Sequence, residues 1–232
     1  MNRIRIKNIL KIYKEYYNID GLYIEKNNLS VSVKNNKVDL LNEVYEEVKN
    51  CKKCPLWKTR VNVVFGEGNY DAELMFVGEG PGYEEDKQAR PFVGKAGELL
   101  TRIIAAMKLK REDVYIANVV KCHPLKEPDP YLRNNDRPPQ EEEIKQCYPY
   151  LEKQIEIIKP KVICCLGSTA AKVLTGNDVP ITELRGKIFK YKNTDIKIIP
   201  TYHPAALLRN PSLKKPTWQD MQLIMKILGL SL

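Results

Sequence analysis

Two histidines, two tryptophans and four phenylalanines are all that 232 residues contain of those types. Imidazole chemistry is therefore confined to His123 and His203. No apolar run reaches the ~18 to 20 residues that span a bilayer, which excludes a helical membrane segment. The N-terminus, MNRIRIKNILKIYKEYYNID, interleaves charge throughout and lacks the unbroken apolar centre of a secretory leader. The chain is accordingly expected to be soluble and intracellular, cytoplasmic in a prokaryote, with no membrane partner. Proline and cysteine are both missing from residues 1–45, and no repeat or low-complexity tract stands out. Acidic residues are outnumbered, 29 against 38 basic, giving a net charge of +9. Such an excess favours a polyanionic partner through counterion release, and it equally describes a lysine-rich surface.

What is present begins with six cysteines, at positions 51, 54, 122, 147, 164 and 165. An intracellular chain of this size does not need a disulfide framework. Cys164 and Cys165 lie inside the apolar run KVICCLG and are assigned to the core, where small thiols are common. Cys51-Lys-Lys-Cys54 has the paired spacing that grips a soft metal. With Cys122 and Cys147 it makes a four-thiolate set that suits zinc and an iron–sulfur cluster alike.

Residues 1–45 differ from the rest and form an N-terminal accessory extension. NLSVSVKNNKVDLL within it suggests a strand or two around an Asn-rich turn, after a basic amphipathic helix. From residue 46 to 232 strands and helices alternate. ELMFVG, VYIANVV, KVICCLG and IKIIPTY read as near-continuous apolar strands. Between and after them lie GELLTRIIAAMKL, helical segments around Pro149, STAAKVLTG and TWQDMQLIMKILGL. This rhythm predicts an α/β fold with a central four-stranded parallel sheet flanked by helices. In such sheets the ligand crevice lies beyond the carboxyl ends of the strands. At those four ends stand GEGPG, Asn118, Gly167-Ser168 and TYHP.

Each of these groups has a chemical reading. GEGPG is too short and too proline-bearing for a dinucleotide fingerprint. It forms a rigid turn that exposes backbone N–H groups, and Glu79 within it is either a solvated acid or a carboxylate aimed at the crevice. Phe92, in a long polar loop, anchors that loop or offers a flat face to a base. The Asn118 amide presents an acceptor and a donor together, which complements N3–H and O4 of uracil and opposes the edge of cytosine. His203 is locked against Pro204 at a strand end, and His123 is read as a surface residue or one standing behind Cys122.

GEGPGYEEDKQARPFVGKAG, ANVVKC, KQCYPYL and TYHPAALL, in this order, resemble the family 4 uracil-DNA glycosylases over residues 46–230. The resemblance implies hydrolysis of the N-glycosidic bond of deoxyuridine in DNA, single- or double-stranded, by base flipping. It implies a structural [4Fe–4S] cluster on Cys51, Cys54, Cys122 and Cys147, and no nucleotide cofactor. By motif position Glu79, Gly80 and Gly82 contact uracil and the attacking water. Phe92 stacks on the flipped base, Asn118 reads its edge, and His203 hydrogen-bonds O2 as charge develops there. Leu207, Leu208 and Arg209 are the candidates for a wedge that fills the vacated stack. The chain is expected to act as a monomer, with a protein partner for the extension. The sequence departs from the family's usual GEAPG at Gly80, places His123 where arginine is usual, and has a longer segment between Cys122 and Cys147, in which Asn134 and Asn135 compete for a family asparagine. Two rival readings are a DNA-binding paralogue of low activity and a zinc-stabilised enzyme acting on a free nucleoside.

Overall fold

The computed structural model describes residues 37–231. Helix α1 (Lys37–Lys49) places Leu41, Val44 and Val48 on one buried face, and a short 3₁₀ turn (Pro55–Lys58) follows Cys54. Then come β1 (Glu67–Gly68), β2 (Leu74–Gly78), α2 (Tyr83–Gln88), α3 (Lys95–Ala106), β3 (Tyr115–Asn118), α4 (Glu141–Ile158), β4 (Val162–Leu166), α5 (Ser168–Thr175), α6 (Ile181–Leu184), β5 (Phe189–Lys190), β6 (Lys197–Thr201), α7 (Pro204–Arg209) and α8 (Lys214–Leu228).

The six strands form one sheet in the order β1-β3-β2-β4-β6-β5. The inner four are parallel, as the continuous apolar runs require, and the outer two are two-residue antiparallel edges. All residues of β2, β3 and β4 are buried, because helices cover both faces. Successive strand residues alternate between two cores. Met75, Val77, Ala117, Ile163, Cys165 and Ile198 face α1, α4 and α5. Leu74, Phe76, Ile116, Cys164 and Ile199 face α3 and α8.

Two local readings change. KVDLL, taken as part of a strand, is the first turn and more of α1, whose apolar residues follow the helical period instead; the other N-terminal elements expected before residue 37 lie outside the described residues. Pro149 does not divide two helical segments but sits inside one 18-residue helix, α4. A proline there removes one backbone donor, and burial of Cys147, Tyr150, Leu151, Gln154, Ile155 and Ile158 along the same helix outweighs that loss.

The topology fixes where a ligand can sit. The chain leaves β2 toward β3 on one side, and later enters β4 on the other. A crevice therefore opens at the carboxyl ends of β2 and β4. The register aligns those ends: Gly78 lies opposite Asn118, and Leu166 opposite Thr201.

Candidate active site

A pocket of about 500 Å³ occupies this crevice. That volume lies in the range of small-ligand sites. The strand-end residues all reach it: Glu79, Gly80 and Gly82 after β2, Asn118 at the end of β3, Gly167 and Ser168 after β4, and Tyr202 and His203 after β6. Phe92 and Arg209 line it as well.

Asn118 is 1% exposed, and its Oδ1 has no hydrogen-bond partner. A buried acceptor left unpaired costs roughly 1–3 kcal/mol, so it marks a place where a donor is missing. Phe92 adopts a left-handed backbone (φ 52°) that turns its ring inward, 5.6 Å from the His203 ring and tilted by 34°. Two glycines make this seat. A Cβ on Gly97 would stand 1.9 Å from the Phe92 carbonyl oxygen. A Cβ on Gly78 would stand 2.5 Å from both Asn118 Oδ1 and Phe92 Cζ.

His203 is the N-cap of α7, with Pro204 in the first turn. Its Nδ1 accepts the Ala205 N–H at 3.1 Å, so the ring proton resides on Nε2. Burial of the ring, with Arg209 nearby, pushes its pKa down to about 4. The group is a neutral imidazole at physiological pH. Behind it, the Thr201 hydroxyl donates to Asp220 Oδ2 at 2.7 Å, and Arg185 holds the same buried carboxylate at 2.6 Å. Glu79 accepts a hydrogen bond from the Thr169 hydroxyl, which ties the ends of β2 and β4 together across the crevice.

Four wall residues were not read from the sequence. Glu85 Oε1 accepts the N–H groups of Val93 and Gly94 at 2.9 and 3.0 Å. Its Oε2 lies 3.0 Å from where a Cβ on Gly82 would stand, so the carboxylate fills the space left by that glycine. Asp136 and Arg137 enter from the long segment after Cys122, and the fourth, Thr169, stands behind the wall and acts through Glu79. His123 is not a surface residue: it is fully buried, with Nε2 2.6 Å from Asp136 Oδ1 and Nδ1 3.9 Å from Asp86. Burial alone would depress its pKa, but the hydrogen bond to Asp136 and the nearby Asp86 carboxylate raise it to about 9, while Nδ1 keeps no hydrogen-bond partner. Of the two candidate asparagines, Asn135 is buried and spends its amide on the backbone of Glu127 and Asp129, and Asn134 is exposed with a left-handed backbone.

The wedge candidates separate. Leu207 is 2% exposed and packs inward, Leu208 is 44% exposed, and Arg209 is exposed at the pocket rim.

Cys51, Cys54, Cys122 and Cys147 line one narrow cavity with Val48, Trp57, Arg60, Lys121 and Tyr150. The thiols do not close on a single ion-sized point; among the described residues no three His, Cys, Asp or Glu side chains do. Arg60 Nη1 and the Lys121 backbone N–H point at the sulfurs of Cys122 and Cys147, each at 3.2 Å. Burial pushes Cys122 up to about 11 and Cys147 up to about 12, so these thiols lose protons only to a metal that replaces them. No carboxylate lines the cavity, and an all-sulfur set selects a soft metal. The cavity's residues thus fit an iron–sulfur cluster.

The family model of the uracil-DNA glycosylase superfamily matches residues 65–222. The chain is 48% identical to a type-4 uracil-DNA glycosylase of Sulfurisphaera tokodaii, over 82% of this chain and 86% of that protein. It is 44% identical to one of Saccharolobus solfataricus, over 83% and 88%, and 48% identical to one of Thermotoga maritima, over 79% and 92%.

Proposed function

The chain belongs to the type-4 uracil-DNA glycosylases of the uracil-DNA glycosylase superfamily, and from that premise we propose what each residue of the pocket does. The enzyme excises uracil from DNA by hydrolysing the N-glycosidic bond of deoxyuridine and leaves an abasic site for base excision repair. A base within a duplex has to leave the stack before that bond can be reached. Its binding partner is uracil-containing DNA, and the net charge of +9 supports phosphate contact.

The single observation that carries the site assignment is the buried, unpartnered Asn118 Oδ1 facing the same pocket as Phe92 and His203. Asn118 accepts uracil N3–H and donates to O4. Cytosine, with the reverse pattern, leaves both groups unpaired, and a buried mismatch of that kind supports discrimination of ~10⁴-fold. Phe92 stacks on the extruded ring. His203, neutral and protonated on Nε2, donates to O2 as the base leaves with the bonding electrons. A donor fixed where the anion forms contributes about 3 to 4 kcal/mol. Glu79, held by Thr169, orients the attacking water or offsets the cationic sugar. Leu208 enters the vacated stack and Arg209 contacts the adjoining backbone. Residues 41–232 constitute the glycosylase domain, since Leu41 and Val44 belong to its core and move the boundary back from the 45/46 read in the sequence, and residues 1–40 the accessory extension.

Cys51, Cys54, Cys122 and Cys147 hold a [4Fe–4S] cluster. Bound there, the cluster ties the segment after α1, the 3₁₀ turn, the exit of β3 and the middle of α4 into one unit, and takes no part at the base.

Incubation with an oligonucleotide carrying one uracil, followed by alkali, tests the reaction. Strand breakage at the uracil is expected, with none at cytosine or thymine. Folded protein that yields no alkali-labile site would overturn the assignment.

A further inference from the structure

Tyr131, 67% exposed, is the most exposed large apolar side chain among the described residues, and its neighbour Leu132 is 46% exposed. They stand at the tip of the segment between Cys122 and α4. This tip is built, not loose. The Asn135 amide, 2% exposed, accepts from Glu127 N–H at 2.9 Å and donates to the Glu127 and Asp129 carbonyls at 2.8 and 3.0 Å. Lys126 N–H donates to the Asn135 carbonyl at 2.9 Å, Leu125 pairs with Asp136, and Asp129 Oδ1 accepts the Tyr131 N–H at 2.9 Å. The fold thus buries an amide in order to hold an aromatic ring in water, the reverse of ordinary packing.

The position of the loop is equally specific. Its base carries Asp136 and Arg137, which line the pocket. Arg133 lies over the Tyr83 ring at 5.2 Å, and Lys87 over the same ring at 4.2 Å. Tyr83 opens α2 directly after Gly82 of the pocket wall. Arg133 is weakly engaged, 3.9 Å from Glu84, and its side chain is 75% exposed.

We infer that this tip is a second DNA-contacting element, distinct from Leu208 and Arg209 on α7. Tyr131 and Leu132 pack on a nucleotide beside the extruded one, and Arg133 neutralises a phosphate. The inference rests on the uracil-excision reading. Continuity with the pocket, with Arg133 and Lys87 over the Tyr83 ring, selects nucleic acid over a protein partner, against the local charge of Glu84, Glu127 and Asp129. An aromatic ring on a preorganised backbone stacks on any base without reading it.

The test uses the full chain and a single-stranded oligonucleotide with one abasic analogue flanked by a fluorescent purine. The double variant Tyr131→Ala, Leu132→Ala is expected to bind roughly ten-fold more weakly with less quenching, because one stacking contact is lost. Its salt slope stays that of the parent, and Tyr131→Phe binds like the parent. Arg133→Ala should flatten the log–log salt slope by about 0.7, one phosphate on a single strand. Affinity of the double variant within twofold of the parent overturns the inference, as does a loss confined to self-association, which would assign the patch to a second copy. If the parent itself fails to excise uracil, the failure belongs to the reading beneath.

Discussion

Gly78→Ala tests the site without replacing any group that meets DNA. Gly78 ends β2, buried, with ordinary negative φ, so the backbone tolerates alanine. The added methyl would stand 2.5 Å from Asn118 Oδ1 on one side and 2.5 Å from Phe92 Cζ on the other, with Phe92 Cε2 at 2.8 Å. Carbon atoms pack at about 3.5 Å or more, so the amide and the ring each have to retreat by about 1 Å. A displacement of that size at a positioned group costs on the order of 10²-fold in rate. Overpacking of a tight core costs about 1–3 kcal/mol besides. Single-turnover excision of a uracil oligonucleotide should therefore fall by about two orders of magnitude. Affinity for abasic DNA should hold, because Leu208, Arg209 and the outer surface are untouched. Thermal denaturation confirms that the variant is folded. A folded Gly78→Ala enzyme with parental turnover would show that the placement of Asn118 and Phe92 does not limit the reaction, and the pocket assignment would fall with it.

The other expectations concern base choice, pH and the cysteines. Asn118→Asp replaces the donor facing O4 with an acceptor or, when protonated, presents the pattern cytosine needs; uracil excision should fall by at least ~10-fold and cytosine excision should become measurable. Unchanged kinetics on both bases would remove Asn118 from the edge-reading role. His203 has a depressed pKa, so its neutral form persists until pH approaches about 4. The folded state carries this group without penalty above the ordinary histidine value, and loses stability as pH falls from there toward the depressed one. Excision should be flat in pH across roughly 6 to 8, where an ordinary histidine titrates. An inflection in that window that vanishes in His203→Asn would contradict the neutral-donor assignment. Cys54→Ser should bleach the visible absorbance of the purified protein and lower its melting temperature; full retained colour would take Cys54 out of the ligand set.

Asn118 and His203 were legible because each interrupts an apolar run at a strand end, where α/β topology directs chemistry. Phe92 was legible only as one of two alternatives, since what turns its ring inward is the missing Cβ of Gly97, five residues on and in a helix. Glu85 was hidden. It stands between Glu84, half-buried, and Asp86, buried and itself accepting the Val61 and Asn62 N–H groups, and nothing local tells these three carboxylates apart. The burial of His123 was hidden for a related reason: its partners, Asp86 and Asp136, lie 37 residues before it and 13 after it, in segments rich in proline and charge. The two-residue edges β1 and β5 are too short to show any alternation, and only their pairing with β3 and β6 defines them.

The exit of β3 shows why the cysteine cavity and the base pocket are one problem in folding. Within five residues, Asn118 faces the pocket while Lys121 and Cys122 face the cavity. Lys121 is fully buried, and its ammonium donates to the Asn118 carbonyl at 2.8 Å and to Gln154 Oε1 at 2.6 Å. Gln154 in turn bonds the Phe65 carbonyl and the Tyr115 hydroxyl. None of these partners carries a negative charge, and a buried cation without one is costly. Thiolates at Cys122 and Cys147 would provide the missing charge if a metal displaced their protons, as the proposed cluster does. The lysine that bonds the Asn118 backbone carbonyl thus also lines the cavity of the four cysteines. The Asn118 backbone and the cysteine cavity are therefore joined through Lys121, so on the proposed reading emptying the cysteine site would disturb the base pocket from inside the protein.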